Sequence, residues 1–364
     1  MPAILRAAPF AHGGGSITRT MTLVMVALMP TTAYGVYLFG WPALNLFVVT
    51  IAAAILFEAI CLKIAGKPVA FGVMDGSAVL SGWLLALTLP PWAPWWIGAV
   101  GAFVAIVFAK HVFGGVGQNL FNPAMVARVV LLISFPLEMT SWLSPRPLGT
   151  DGAPGFREGL DITFLKGYDL DAVSSASILG HVKTELGQGN TLTEALSGTY
   201  GWFDMTLGNA PGSMGETSVL LILLGGLFLI ATRIISWSIP VSMIATIAAC
   251  AGLANLIAPE AYPGAIIHVV SGATLLGAFF IATDYVTSPS TLRGQLIFGA
   301  GVGLLAWVIR TWAGYPEGVA FAVLLMNACT PLIDRWITPR VFGRTAKGDP
   351  LDYDEKELEG RFND

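Results

Sequence analysis

Charge is scarce in this chain. Only 12% of its 364 residues are Asp, Glu, Lys or Arg, about half the share of an ordinary soluble domain. Beside 55% hydrophobic residues, so little charge excludes a water-soluble globule and calls for lipid around the chain. The net charge of −4 is too small to imply a nucleic-acid partner or a polybasic membrane clamp. Cysteine is scarce too. Cys61, Cys250 and Cys329 lie far apart in apolar stretches and form no CxxC pair, so the chain is not expected to ligate an iron–sulfur cluster alone. His12, His111, His181 and His268 are equally scattered, without the clustering of a metal site. A cleavable leader is not expected, because the first apolar run is too long and no small-residue cleavage site follows it.

Long apolar runs are what the chain has in plenty. A spanning helix needs about 20 such residues in a row, and ten candidates lie at roughly 20–40, 42–62, 77–90, 94–113, 122–138, 217–236, 238–257, 265–284, 294–312 and 317–336. The third is short, and Val69 to Met74 could extend it or form a re-entrant approach. The expected fold is an all-α polytopic membrane protein. Its plan is a first five-helix repeat at 1–138, a hydrophilic loop at 139–216, a second five-helix repeat at 217–338 and a tail at 339–364. The loop holds Pro145, Pro147, Gly149, Asp151, Gly152 and Pro154 and no segment able to span, so its backbone belongs in water.

Basic residues orient the spans. Arg6, Arg19, Lys63, Lys67, Lys110, Arg233, Arg293, Arg335, Arg340, Arg344 and Lys347 fall on one side of a ten-span chain. The connections Gly40-Trp41-Pro42, Pro90-Pro91-Trp92 and Pro259-Glu260-Ala261 carry none. The positive-inside rule then puts both termini in the cytoplasm and the long loop outside. Arg310 alone dissents.

The halves resemble each other. DGSAVLSGWLLALT at 75–88 and VSGATLLGAFFIAT at 270–283 share Ala78/Ala273, Leu80/Leu275, Gly82/Gly277 and Thr88/Thr283 at one offset, and Lys110 answers to Arg310. Five spans per half would make this an inverted repeat, the plan of many transporters. Chance matching of small and apolar residues is the alternative.

Polar groups inside apolar spans are costly and mark function or pairing. Glu58 lies deepest, where it serves an ion or pairs with Lys63. Asp75, Glu216 and Asp284 stand at span ends, as ion ligands or as caps. Gly114-Gly115-Val116-Gly117-Gln118-Asn119-Leu120-Phe121-Asn122-Pro123 is the most unusual connection. Gln118, Asn119 and Asn122 offer uncharged donors and acceptors to a flat heteroaromatic ring such as an isoalloxazine, while Asn122-Pro123 also reads as the start of a helix. Two hydroxyl motifs remain. Ser271-Gly272-Ala273-Thr274 is expected within the eighth span, where small residues also serve packing, and Asp171 to Ser177 lies in the outer loop.

Several stretches resemble one family closely: GGVGQNLFNPAM at 114–125, LLISFPLEMTSW at 131–142, GSMGETS at 212–218, HVVSGATLLGAFFIATD at 268–284 and GYPEGVAFAVLL at 314–325. They are similar to the RnfD/NqrB family, the membrane subunits of the Rnf complex and of the sodium-pumping NADH:quinone oxidoreductase. The resemblance implies a subunit of an ion-translocating oxidoreductase in a bacterial inner membrane. It would couple ferredoxin and NAD chemistry to Na⁺ or H⁺ movement, with RnfA, RnfB, RnfC, RnfE and RnfG as the other members of the complex. It also implies covalent FMN, joined by a flavin transferase to a loop hydroxyl. The family's motif aligns on Asp171 to Ser177, so Ser177 is the expected attachment residue in place of the usual Thr, with Thr274 as the lesser candidate. A noncovalent riboflavin is implied near Asn119 and Asn122. The rival class is an inverted-repeat channel or secondary transporter of the urea-transporter kind, without redox chemistry.

Overall fold

The computed structural model describes residues 16–166, 174–175, 178–196, 206–313, 318–339 and 343. Helix dominates it. The longest element, Ile17–Ile64, leaves helical geometry at Gly40, where φ is 76° and ψ −161°. That left-handed turn is open to glycine and divides the run into α1 (17–39) and α2 (41–64), with Pro42 in the first turn of the second leg. Side-chain contacts show that the legs fold back on each other. Thr32 and Phe47 would stand about 22 Å apart along a straight helix. Yet the Trp83 indole N–H donates to Thr32 Oγ1 at 2.8 Å, and the Trp83 ring meets Phe47 edge-on at 5.1 Å.

The remaining helices of the first half are α3 (Ser77–Thr88), α4 (Trp95–His111) and α5 (Pro123–Ser134). The last eight residues of α4, Val104–His111, wind as a π-helix. Val69–Val73 forms a separate short helix and does not extend α3. Within the hydrophilic loop the chain adds α6 (Ile178–Gly187). The second half holds α7 (Val219–Ala231), α8 (Ser238–Ile257), α9 (Ala265–Val270), α10 (Thr274–Leu276 continuing as the π-helical Gly277–Ile281), α11 (Leu292–Trp312) and α12 (Val319–Trp336). The expected eighth span is therefore broken. Ser271-Gly272-Ala273 forms the break itself, because Gly272 takes φ 65°, and Thr274 is the first residue of α10.

Among the described residues, four helices are long and apolar enough to cross a membrane: Ile17–Ile64, α8, α11 and α12. The other apolar helices are shorter. The 12 residues of α3 rise about 18 Å, against roughly 30 Å of hydrocarbon. Both ends of α3, Ser77 and Thr88, are buried, so its terminal N–H and C=O groups need partners inside the protein.

The hydrophilic loop is pinned to both halves. Trp142–Leu143 pairs antiparallel with Ser174–Ser175, Trp142 opposite Ser175. Arg146 N–H and Leu148 N–H each donate at 2.8 Å to Leu38 and Tyr37 carbonyls beside the Gly40 turn. Leu192 N–H reaches the Glu260 carbonyl at 3.3 Å.

The two halves approach through small residues. A Cβ on Gly225 of α7 would lie 2.5 Å from the Ala27 carbonyl oxygen of α1 and 3.1 Å from Phe280 Cζ. Overpacking of this kind destabilises by about 1–3 kcal/mol. Gly225→Ala should accordingly lower the unfolding temperature in detergent. Gly252→Ala, whose Cβ would meet only Ala265 Cβ at 3.9 Å, should leave it within error; equal melting of the two variants would contradict this packing.

Candidate functional site: a cavity between the two halves

A cavity of about 810 Å³, its mouth included, opens between α1, α3, the glycine-rich connection and α10. Its wall is largely apolar, with Leu80, Leu84, Phe279 and Phe280 prominent, and its polar residues include Ser77, Lys110, Asn119, Asn122 and Asp284. An apolar wall with a few polar points is the make-up of a site for a small organic molecule.

Lys110 is the centre of the polar side. It lies in the last turn of α4 and is only 2% exposed, where an unpaired ammonium would be prohibitive. Its Nζ donates to Glu58 Oε2 at 2.7 Å and to Ser77 Oγ at 2.8 Å. Ser77 Oγ–H donates in turn to Asp75 Oδ1 at 2.5 Å, and Asp75 Oδ1 also receives the Ser77 backbone N–H at 2.7 Å. Glu58 Oε2 is also 3.0 Å from His111 Nε2. Glu58 thus pairs with Lys110 from another helix and not with Lys63, which is exposed. The result is a continuous polar chain from buried Glu58 to partly exposed Asp75.

Asn122 acts as a cap. Its Oδ1 accepts from Ala124 N–H at 3.1 Å and Met125 N–H at 3.3 Å, ahead of Pro123 at the first position of α5. Its Nδ2 donates to the Ile281 carbonyl at 3.4 Å, and its backbone N–H to Asn327 Oδ1 at 3.2 Å. One buried asparagine therefore joins α5, α10 and α12 at the cavity wall. Asn119 Nδ2 donates to the Phe121 carbonyl at 3.1 Å. Gln118 does not join them; it is exposed and lies off the cavity wall. The connection is tied down by Lys67 Nζ, which donates to the Gly114 carbonyl at 3.0 Å.

Asp284 faces the cavity from the second half and accepts from Thr287 Oγ1 at 3.2 Å. Glu216 is elsewhere. It lies 4.0 Å from Arg128 Nη2 at the buried junction of α5 with the start of the second half, and Arg128 Nη1 donates to the Thr88 carbonyl ending α3. Arg128 and Asn327 are absent from the candidates that the sequence offers. Arg128 carries the available signal, a lone charge inside an apolar span. Thr274 is also away from this cavity, buried between α9 and α11, and Ser177 lies outside the described residues. Among the described residues no group of His, Cys, Asp and Glu could hold a metal ion.

These features define a helical membrane protein with a largely apolar cavity between its two halves. The profile of the NQR2, RnfD, RnfE family matches residues 4–343, and the chain belongs to that family. It is similar to the D subunit of the ion-translocating oxidoreductase complex of Stutzerimonas stutzeri, 57% identical over 92% of this chain and 95% of the relative. The protein of the same name from Halorhodospira halophila is 52% identical over 97% of this chain and 99% of the relative. That of Rhodobacter capsulatus is 50% identical over 83% and 84%.

Removing one partner of a buried ion pair destabilises by about 3–5 kcal/mol, while removing both can be nearly neutral. Lys110→Met should thus melt well below the parent chain in detergent, and Glu58→Gln with Lys110→Met should recover much of the loss. A double variant as unstable as the two single losses added together would contradict the pairing.

Proposed function

We propose that this chain is the D subunit of an Rnf-type ion-translocating oxidoreductase complex, carrying flavin and helping couple electron transfer to ion movement. The observation that carries the reading is the cavity at the junction of the halves, in a chain whose relatives bear that complex's name. Its apolar walls suit a flat ring system, and Ser77, Lys110 and Asn119 suit the ring's polar edge. We assign it the noncovalent flavin, riboflavin. When bound, flavin supplies one- and two-electron chemistry; the chain's own residues orient it and exclude water.

Glu58, Lys110, Ser77 and Asp75 form the hydrogen-bonded chain along which a proton or cation would be held, with Asp284 across the cavity. Glu216 is better read as the partner that keeps Arg128 buried. Partner subunits provide the nicotinamide and iron–sulfur chemistry for which this chain has no cluster ligands. The ten apolar segments would cross a bacterial inner membrane as two inverted sets, both termini inside. Gly76 and Gly272, which take φ 81° and 65° just before α3 and α10, support that relation. So does the cation–hydroxyl pair in each half, Lys110 with Ser77 and Arg310 with Thr274.

Covalent FMN is assigned to Ser177. Thr274 is a poor alternative, because it is 0% exposed, its hydroxyl donates to the His268 carbonyl at 2.8 Å and it accepts from Arg310 Nη1 at 2.6 Å. Esterification there would remove the hydrogen that the hydroxyl gives to the His268 carbonyl, at a fully buried oxygen. Denatured chain co-produced with a flavin transferase should fluoresce in a gel under ultraviolet light, Thr274→Val should stay bright, and Ser177→Ala should go dark. A dark parent chain would favour a plain permease, and a bright Ser177→Ala would move the attachment elsewhere. Asn119→Leu, which blocks the inner cavity's polar edge, should lower the noncovalent flavin released on denaturation. Unchanged stoichiometry would remove the riboflavin from this cavity.

A further inference from the structure

An open cavity lies at the end of the α11–α12 pair where α11 begins and α12 stops. It is lined by Arg293, Leu296 and Ile297 of α11 and by Trp336, Ile337 and Thr338. Behind it the two helices are tied together. Asp334 Oδ1 accepts from the Ser290 N–H at 3.2 Å and from Ser290 Oγ at 3.4 Å, and Thr291 Oγ1 donates to the Ile337 carbonyl at 3.4 Å. Gly294 faces Ile333, whose Cγ2 would lie 3.2 Å from a Cβ there. Asp334 is thus committed to Ser290. Arg293 stands exposed on the cavity wall, outside every ion pair among the described residues.

The cavity continues into an apolar track. Residues four or eleven apart on a helix share a face. On α11 the face of Arg293 carries Ile297 and Leu304; on α12 the face of Trp336 carries Leu332 and Leu325, and all four of these apolar side chains are exposed. Beneath the track the helices close on each other, since a Cβ on Gly301 would lie 2.6 Å from Met326 Sδ. From Arg293 to Leu304 the helix rises about 16 Å, and the hydrocarbon of one leaflet is about 15 Å deep. A cation and an indole therefore stand at one end of an apolar groove that runs the depth of one leaflet.

We propose that this groove holds an anionic phospholipid, its phosphate on Arg293 and Thr338, its headgroup region beside Trp336 and an acyl chain along Ile297 and Leu304. Charge argues for that occupant. A guanidinium without a protein partner suits a phosphate, which it can grip with two N–H groups, and Trp is at home at headgroup level. Arg293 is on the side of the membrane proposed above as cytoplasmic, where basic pockets between spans take anionic headgroups. A partner helix would have to bring its own carboxylate to the membrane, which is costly; a phospholipid carries its anion there already. The lipid would also brace α12, whose Asn327 receives the Asn122 N–H at the inner cavity.

The test uses the full chain, purified in detergent and stripped of lipid. Added phosphatidylglycerol should raise its unfolding temperature more than phosphatidylcholine does. Arg293→Gln should lose that difference, and Arg335→Gln, at an exposed arginine off the cavity wall, should keep it. Native mass spectrometry of gently extracted chain should show a retained anionic phospholipid, several-fold less abundant in Arg293→Gln and in Trp336→Ala. An equal response to the two lipids, or an undiminished one in Arg293→Gln, overturns the proposal. So does a matching response to glycerol phosphate, which would make this a site for a soluble phosphate. Displacement of the retained lipid when the partner subunits are present would make the groove a subunit interface and overturn it as well.

Discussion

A cation buried at bilayer depth has to be matched atom by atom, because no water is there to do it. Lys110, Arg128 and Arg310 are each 5% exposed or less, and much of the architecture follows from satisfying them. Arg128 takes the carbonyl that ends α3. Arg310 takes the carbonyl of His268 just before the chain breaks at Ser271. Lys110 takes Ser77, the first residue of α3. Each cation thus stands at the end of an interrupted helix, where backbone groups lack their own partners. The broken helices and the buried charges solve one problem together, since each supplies partners that the other lacks.

That economy explains where the inner cavity lies. Short helices cannot fill the thickness of a bilayer, so their ends leave room that longer neighbours enclose. At the inner cavity the ends of α4, α5 and α10 meet, and Asn122 ties α5 to α10 and α12 by capping α5 while holding Ile281 and Asn327. A residue so used is fixed in place, which makes the wall it belongs to a preorganised surface.

The apolar runs, the hydrophilic loop and the Asn122 cap are readable in the sequence because each depends on local composition: hydropathy over about 20 residues, or Asn before Pro. The Gly40 turn is foreshadowed by Gly-Trp-Pro. What local patterns miss depends on contacts distant in sequence. Glu58 points in sequence to Lys63, five positions away on its own helix, while its partner lies on α4. Lys110 reads as a flanking charge that orients a span, and only the fold shows it turned inward. The break at Gly272 is hidden because the apolar pattern continues unchanged across it; glycine permits a left-handed turn without announcing it. Gln118 shares its neighbours' chemistry but faces outward, a difference that only backbone geometry sets.

The cavity between the halves sets a single paired ammonium, Lys110, against the acids Glu58, Asp75 and Asp284. Its polar side is one hydrogen-bonded chain, from Glu58 through Lys110 and Ser77 to Asp75. In so apolar a surrounding the members of such a chain polarise one another, so a change of charge at any one of them is felt along its whole length. No large motion of the helices is needed to carry that response, because the groups are already in contact.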